Sequence, residues 1–294
     1  MEPTRPRLPL EIRGRAVLAR IQAHADQSRL GRWGFEFLMF GLKQGWACMF
    51  GGIMVALLFA TARLWPHAAS LARYDFLVIA AVTVQLGMLT FRLESLAEAR
   101  VIFLFHLVGT VMEVFKTRVG SWEYPEPSLL RIAGVPLFSG FMYASVGSYI
   151  ARIMRIFDIR FSNYPRVWTT WCLAGAIYAN FFLNHWILDL RPVLFAATAL
   201  LFWKAWFWFT PDRRERAMPV LLGFLLVAVF IWLAENLGTY TRAWIYPAQR
   251  HGWTPVSMSK IGSWYLLMII SWVLVSLVFR PETRVRAAPG RSTT

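Results

Sequence analysis

The sequence predicts an all-α polytopic membrane protein with about eight transmembrane helices, arranged as two parallel four-helix repeats. Three observations predict this fold class. The chain has 294 residues, 57% of them hydrophobic, and a mean hydropathy of +0.47, which is well above most soluble domains. Several apolar stretches reach the length of about 20 residues that crosses a bilayer core. A motif around Glu113 also recurs 122 residues later, around Glu235.

The predicted spans follow one another with short loops between them. They lie at approximately 42–64, 74–93, 101–117, 133–151, 168–187, 192–210, 219–238 and 262–280. An offset of 122 residues carries the first four spans approximately onto the last four. Because each repeat contains an even number of helices, both halves have the same orientation in the membrane.

The repeat divides the chain into four segments. Residues 1–33 form a basic N-terminal segment, residues 34–157 and 158–282 form the two repeats, and residues 283–294 form a basic C-terminal tail. Residues 10–29 have helical periodicity, which fits either a basic amphipathic helix in the membrane interface or a solvated tail. We expect no cleavable signal peptide, because the chain starts with basic and polar residues.

The net charge of +15 is distributed as in a membrane protein. Lys and Arg concentrate in the two tails and in alternate loops, which places both termini in the cytoplasm by the positive-inside rule. Basic residues next to anionic lipid headgroups explain the charge without a nucleic-acid partner. We therefore expect a multi-pass protein of the bacterial inner membrane whose partner is the lipid bilayer, and the repeated motif then lies toward the outer face.

Several chemistries are disfavoured because their motifs are missing. Cys48 and Cys172 lie in apolar segments, where they behave as small hydrophobic residues. The histidines do not form clustered metal-binding boxes, and no glycine-rich phosphate loop or CxxC pair occurs. We predict no metal site and assign no cofactor, and the sequence does not indicate an oligomeric state.

The repeated motif places a carboxylate ahead of a group of aromatic residues. The first copy is Glu113, Thr117, Trp122, Tyr124, Pro125, Gly140 and Tyr143, and the second is Glu235, Thr239, Trp244, Tyr246, Pro247, Gly262 and Tyr265. Seven identities at one ungapped offset exceed the roughly two that composition alone would give. The pattern predicts either two equivalent sites or one site that is built from two halves.

Glu113 and Glu235 are the main catalytic candidates. A carboxylate is costly when it faces lipid, so both side chains should face the bundle interior or water. Burial favours the protonated acid, which can donate a proton to a substrate. Alternatively, each is a structural carboxylate that is hydrogen-bonded to loop backbone or to an arginine.

The aromatic and hydroxyl residues of the motif are candidates for substrate binding. Trp122, Tyr124, Trp244 and Tyr246 fit an aromatic wall that stabilises a cation or stacks on a polyene, or an ordinary membrane-interface belt. Tyr143 and Tyr265 lie on the following helix, where their hydroxyls can reach back to the glutamates. Thr117 and Thr239 complete this set, and Gly140 and Gly262 fit close contacts between helices.

Three further polar residues lie in the apolar segments. His106 lies two helical turns before Glu113 and shares its face, although such a histidine is often structural. Lys116 is close enough in sequence to pair with Glu113, and His106 and Lys116 are both candidate catalytic residues. Neither has a counterpart in the second copy of the motif, which favours one site in the first half, with a simplified second copy, over two equivalent sites. Lys204, between aromatic residues, has three alternatives: a snorkelling side chain, a cation–π contact or part of a pathway.

Several runs resemble the bacterial integral membrane family catalogued as domain of unknown function 817. These runs are Gly41–Trp46, Gly109–Thr117, Gly120–Glu126, Gly134–Tyr143, Ala234–Thr239 and Trp244–Pro247. The resemblance covers most of residues 34–282. It implies an integral membrane protein and brings no activity with it.

The chain is also similar, more distantly, to membrane enzymes of the lycopene cyclase and carotenoid hydratase type. The matching residues are Gly120, Trp122, Tyr124, Pro136, Leu137, Trp244 and Tyr246. That similarity implies an acid that protonates a terminal double bond and aromatic rings that shelter the carbocation. The cyclases carry paired glutamates where Phe138 and Ser139 stand here, so Glu113 and Glu235 would have to supply the acid.

The leading hypothesis is a membrane-embedded enzyme or binder for a hydrophobic lipid or isoprenoid molecule, acting through the glutamates and aromatic residues. The alternative from a different class is a small-solute transporter, since parallel repeats suit alternating access. A third reading is a structural or assembly partner.

Overall fold

The computed structural model describes residues 20–66 and 68–279, and this part of the chain is mostly helical. Its α-helices are α1 (Arg29–Ala47), α2 (Met49–Leu64), α3 (Arg73–Thr90), α4 (Leu96–Arg118), α5 (Phe138–Ile156), α6 (Val167–Leu183), α7 (Arg191–Phe202), α8 (Val220–Tyr240) and α9 (Ser259–Ser276). Residues 20–25 are also helical. Residues 10–19 of the predicted amphipathic helix and the C-terminal tail 283–294 lie outside the described residues.

Two small antiparallel sheets in the described residues modify the all-α prediction. One is a hairpin of β1 (Arg131–Ile132) and β2 (Val135–Pro136), and the other has the order β3 (Arg160–Ser162), β4 (Trp206–Phe209) and β5 (Arg216–Pro219). In the second sheet Phe207 is paired with both Phe161 and Met218. The four consecutive aromatic residues of β4 favour a strand once neighbouring strands are available to pair with it.

The C-terminal bound of the predicted span at 192–210 is therefore wrong. Helix α7 ends at Phe202 and the chain continues as strand β4. Lys204 lies in the short connection rather than within a helix, and it is exposed. Its Nζ lies 4.6 Å from the ring centroid of Trp203, so the cation–π alternative describes this lysine.

By length and composition, three helices are long and apolar enough to cross a membrane, namely α3, α8 and α9. Helices α1 and α2 meet this criterion together, but they are bent by 67° at the single residue Cys48 between them. The described part of the chain thus has three candidate spans, or four if the bent pair is one span. Helices α6 and α7 are apolar but shorter, and α4 carries several charged residues.

Helices α5 and α9 lie at the centre of the bundle. Helix α5 packs against α1, α2, α3, α4 and α9, whereas α9 packs against α4, α5, α6 and α8. The approach of α4 to α5 depends on small residues, because a Cβ at Gly140 would lie 2.4 Å from His106 Nδ1. A Cβ at Gly262 would lie 2.9 Å from the Phe195 ring. The prediction that both glycines make close helix contacts is confirmed.

A buried ion pair holds the connection between α3 and α4 against α5. Arg152 of α5 lies 3.1 Å from Glu94, and both side chains are completely buried. Glu94 also accepts hydrogen bonds from Ser148 at 2.9 Å and from Gln85 at 2.5 Å. Because these donors satisfy the buried carboxylate, the pair can lie inside the bundle.

The two ends of the bundle have different architectures. The loops that follow α4 and α8 cover one end, and the three-stranded sheet covers the other. Helix α1 is attached to the sheet end, where Arg216 Nε lies 2.6 Å from Glu36 and Lys43 Nζ lies 2.8 Å from the carbonyl oxygen of Thr210.

Candidate functional site

Glu113 and Glu235 both lie at the loop-covered end of the bundle. They belong to the last two turns of α4 and α8, and their exposed fractions are 4% and 5%. Both line a single cavity of about 1050 Å³. Of the two arrangements that the repeated motif allows, this geometry corresponds to one site with a contribution from each copy.

Three aromatic side chains donate hydrogen bonds to Glu113. Trp122 Nε1 and the Tyr124 hydroxyl each lie 2.6 Å from Glu113 Oε2. The Tyr143 hydroxyl lies 2.8 Å from Oε1. The prediction that Tyr143 reaches back to this glutamate is confirmed, and Trp122 and Tyr124 contact the carboxylate directly.

The turn after α4 directs Trp122 back toward the helix end. Gly120 has a φ of +73°, which is accessible to glycine at little cost. The backbone N–H groups of Gly120 and Ser121 donate to the carbonyl oxygens of Thr117 and Lys116 at 3.1 and 2.9 Å. This compact C-terminal cap returns the chain over the last turn of α4.

Glu235 has two aromatic donors. The Tyr246 hydroxyl donates a short hydrogen bond to Oε1, and Trp264 Nε1 lies 2.7 Å from Oε2. The prediction that Tyr265 reaches Glu235 is wrong, because Tyr265 packs against Phe195 with their ring centroids 6.0 Å apart. The neighbouring Trp264 takes this role, since the phase of α9 turns position 264 toward α8.

Trp244 differs from its counterpart Trp122 in the first copy of the motif. Its ring packs over Gly238, where a Cβ would lie 2.1 Å from the ring. Trp244 lines the cavity, but the indole that donates to Glu235 belongs to Trp264. The two copies of the motif therefore build similar carboxylate environments from partly different residues.

The loops of the two motif copies pair directly with each other. Glu123 and Ile245, which stand at equivalent positions of the repeat, form an antiparallel bridge with both N–H···O distances at 3.0 Å. The Trp122 and Tyr246 rings meet edge to face with centroids 6.1 Å apart. Arg250 adds an ion pair to Glu123 at 3.0 Å. These contacts join the two halves of the site.

The hydrogen-bond partners restrict where each glutamate can hold a proton. An indole N–H is only a donor, so the Oε2 atoms of Glu113 and Glu235 must act as acceptors toward Trp122 and Trp264. Each Oε1 atom faces a tyrosine hydroxyl, which can either donate or accept. The sites for an exchangeable proton are therefore Oε1 of each glutamate.

Tyr124 and Tyr246 lie on the loops, and their phenol groups are difficult to ionise. Burial raises the pKa of both phenols well above the usual range, and the charges of the neighbouring glutamates raise it further. Both hydroxyls therefore keep their protons near neutral pH.

Three cations line the same end of the cavity, namely Lys116, Arg191 and Lys260. Lys116 does not pair with Glu113 as predicted. Its Nζ lies 2.9 Å from His185 Nε2 and 4.2 Å from the Phe181 ring centroid. Burial and the charge of Lys116 lower the pKa of His185, so the neutral imidazole can accept this hydrogen bond.

Lys260 lies between the two copies of the motif. Its Nζ is 4.5 Å from the Tyr246 ring centroid and 5.7 Å from the Trp122 ring centroid. A lysine near two aromatic faces is stabilised by cation–π attraction. Lys260 thus contributes positive charge close to both carboxylates.

Four of the predicted site residues do not line the cavity, and one of them is Tyr265, which packs against Phe195. His106 shares the α5-facing side of α4 with Glu113, but its ring packs against Phe141 with centroids 4.5 Å apart. Thr117 Oγ1 is buried without a hydrogen-bond partner in the described residues. Thr239 donates to the Asn236 carbonyl oxygen at 3.1 Å. The cavity contacts of the site come instead from Lys116, Trp122, Tyr124, Tyr143, Trp244, Tyr246 and the two glutamates.

Four residues that the sequence pattern did not indicate line the same end of the cavity, namely Trp264, Lys260, His185 and Asn184. Trp264 is adjacent to Tyr265 of the repeat, and a shift of the pattern by one residue along α9 would indicate it. Lys260 precedes the same helix. His185 and Asn184 lie after α6, where no repeated signal marks them.

The remainder of the cavity is largely apolar and extends to the sheet end. Its lining along α5 runs from Ser139 to Phe157, a distance of about 27 Å at 1.5 Å per residue. Phe207, Phe209 and Met218 of the sheet line the far end. Within residues 20–66 and 68–279, no three His, Cys, Asp or Glu side chains are grouped as metal ligands.

Comparison with known proteins identifies relatives without an assigned activity. The family described as "Protein of unknown function (DUF817)" matches residues 36–272. The "Uncharacterized protein YoaT" of Bacillus subtilis (strain 168) is 40% identical over 241 residues, which cover 82% of this chain and 90% of the relative. No solved structure matches the chain significantly.

The Trp264→Phe substitution should destabilise the fold by about 1.5–3 kcal/mol, because a buried carboxylate loses a donor. Trp253→Phe is the matched control, since this indole donates to the neutral hydroxyl of Thr239 at 3.2 Å and is 43% exposed. It should cost only about 0.5–1.5 kcal/mol. Unfolding in mixed detergent micelles measures both losses, and equal losses would contradict a special role for the hydrogen bond to Glu235.

Proposed function

We propose that this chain, which belongs to the DUF817 family of proteins of unknown function, binds a hydrophobic lipid or isoprenoid molecule and transfers a proton to or from it. One observation carries the proposal: two carboxylates held by aromatic donors line one end of a long, largely apolar cavity. Glu113 and Glu235 are the proton-transfer groups. The hydrocarbon part of the molecule occupies the apolar remainder of the cavity.

The architecture that we propose for this function has all helices from α2 to α9 crossing the bacterial inner membrane. Residues 34–157 and 158–282 then form two parallel four-helix halves with both termini in the cytoplasm. The antiparallel bridge between the equivalent residues Glu123 and Ile245 supports this arrangement. A two-fold axis along the membrane normal reverses the direction of a loop that crosses it, so equivalent loops meet antiparallel.

A reporter that fluoresces only in the cytoplasm tests this orientation. We expect fluorescence when it is fused after residue 294 and none when it is inserted at Trp253, in the loop between α8 and α9. The reverse pattern would refute the orientation, and fluorescence at both positions would refute the crossing of α9.

The dimensions of the cavity suit an elongated hydrocarbon. Its volume of about 1050 Å³ lies at the upper end of small-molecule sites, and its lining follows α5 for about 27 Å. The wall includes Phe40, Phe157 and Phe224, which offer apolar contacts and few hydrogen bonds. Recognition of a hydrocarbon needs burial of apolar area more than specific polar contacts.

The carboxylate pair suits acid–base chemistry without a cofactor. Two carboxylates that share an apolar site disfavour double ionisation, so the expected state has one proton for the pair. The protonated glutamate donates this proton to one carbon of a double bond, which leaves a carbocation at the other carbon. The second carboxylate then removes a proton from the next carbon, on the far side of the carbocation. The double bond moves, the glutamates exchange roles, and the number of protons is unchanged.

Aromatic rings surround the position where positive charge would develop. Trp122, Tyr246 and Trp264 all line the cavity beside the glutamates. The face of an aromatic ring attracts a cation, with energies of about 2 kcal/mol or more in desolvated sites. These side chains can therefore stabilise a carbocation and hold the carboxylates in place.

Glu113→Gln and Glu235→Gln should each abolish proton transfer, because an amide cannot replace the acid–base group. The measurement is deuterium incorporation from D2O into the hydrophobic molecule that co-purifies with the protein in mild detergent. Glu215→Gln is the control, since this exposed residue lies between β4 and β5. We expect incorporation in the wild type and the control, and a loss of about 100-fold or more in both site variants.

Two results would contradict different parts of the proposal, one the proton transfer and the other the binding itself. A bound hydrocarbon that gains no deuterium with the wild-type protein would exclude proton transfer and leave a binding function. Purification without any bound hydrophobic molecule, and failure to bind one that is added, would exclude the binding function as well.

Transport of a small solute is the second candidate, and the bend between α1 and α2 favours it. The bend of 67° lies beside the cavity, because Gln44, Gly45 and Cys48 all line it. Broken helices are typical of the binding sites of secondary transporters. Uptake into proteoliposomes under a pH gradient should occur with the wild type and cease with Glu235→Gln, whereas proteoliposomes with no uptake of any tested solute would disfavour transport.

A further inference from the structure

The loop-covered end of the cavity holds positive charge that no carboxylate contacts. Lys116 is 6% exposed, and Lys260 lies against the Tyr246 ring. None of the ion pairs within 4.0 Å in the described part of the chain includes either lysine. A buried lysine such as Lys116 normally has an anionic partner, and the half-buried Lys260 adds a second charge at the same end of the cavity.

No nearby carboxylate forms an ion pair with either lysine, although Lys260 lies close to both glutamates. The oxygens of Glu113 and Glu235 are occupied by the indole and phenol donors described above. Asp189 pairs with Arg191 at 2.6 Å, which neutralises the third cation. Lys116 contacts the neutral ring of His185 rather than an acid.

The charges at this end leave a positive excess. Arg191 and Asp189 cancel, and the two glutamates carry one negative charge if they share one proton. Lys116 and Lys260 together outweigh that charge. The excess lies where the cavity is polar, whereas the rest of the cavity wall is apolar.

A further polar atom at this end lacks a partner. Asn184 lines the cavity beside His185, and its Oδ1 atom is buried without a hydrogen bond in residues 20–66 and 68–279. A buried amide oxygen without a donor is costly. A ligand hydroxyl, such as a protonated phosphate oxygen, would satisfy it.

We infer that Lys116 and Lys260, with Arg191 and Asn184 beside them, bind the oxyanion head group of an amphiphile whose hydrocarbon chain occupies the apolar cavity. The head group is a phosphate or a carboxylate. This inference rests on the binding part of the proposed function and specifies its ligand class. It also positions the first carbons of the chain next to Glu113 and Glu235.

The direct test compares amphiphiles with one chain and different head groups. Dodecyl phosphate, dodecanoate and dodecanol are titrated against the full-length protein in nanodiscs of zwitterionic lipid. Binding is followed by tryptophan fluorescence, because Trp122 and Trp264 line the site. We expect both anions to bind about tenfold or more tightly than the alcohol, as charge-assisted hydrogen bonds imply. The tighter of the two anions identifies the head group.

Substitutions of the two lysines test whether they cause the preference for anionic head groups. Lys116→Gln and Lys260→Gln should each weaken binding of the preferred anion about tenfold and leave dodecanol unchanged. Lys116→Arg and Lys260→Arg keep the charge and should retain the preference for anions. Lys204→Gln changes an exposed lysine in the connection to β4 and should bind all three probes like the wild type. Gel filtration and melting temperature verify that each variant is folded.

The outcomes separate this inference from the proposed function. Equal affinity of the wild type for all three probes would overturn the anion site and leave hydrocarbon binding intact. An anion preference that survives both Lys→Gln substitutions would place the head group elsewhere and overturn the inference. Binding of none of the three probes would overturn both. If a Lys→Gln variant does not fold, the comparison of probes with the wild type still decides the question.

Discussion

The structure depends on the need to compensate two carboxylates that are buried in an apolar helical bundle. An ionised carboxylate removed from water without partners costs several kcal/mol or more. Glu113 and Glu235 meet this requirement through tyrosine and tryptophan donors, which come from the loops after their own helices and from the helices that follow. The positions of these loops, and of α5 and α9 relative to α4 and α8, are therefore tied to the two side chains.

A small β-sheet covers the opposite end of the bundle. Strands β3, β4 and β5 place Phe207 and Met218 against the cavity, and α1 is bound to them through Glu36 and Arg216. Toward the same end, the buried pair of Arg152 and Glu94 holds the α3–α4 connection against α5. The cavity thus has one apolar end and one end lined with ionisable groups, so an amphiphile of the kind proposed above would have a single favourable direction.

Apolar runs and a repeated motif predicted most helices and the aromatic contacts of Glu113, because both signals are local. The sequence did not indicate the bend at Cys48, since its immediate neighbours Ala47 and Met49 are apolar and no proline lies nearby. Trp206–Phe209 reads as a continuation of α7, and only its pairing with the distant strand Arg160–Ser162 makes it a strand. Trp264 rather than Tyr265 donates to Glu235, because the rotation of α9 about its axis decides which residue faces the carboxylate. An ungapped repeat in the sequence does not specify that rotation.

The antiparallel bridge between Glu123 and Ile245 makes the two loops a single mechanical unit. Two backbone hydrogen bonds, the edge-to-face contact of Trp122 with Tyr246 and the ion pair of Arg250 with Glu123 must all break before the loops separate. A molecule that leaves past these loops must wait for this cooperative opening, so its residence time is governed by loop separation as well as by its own affinity. Ligand exchange at this end should therefore be slow even for a weakly held hydrocarbon.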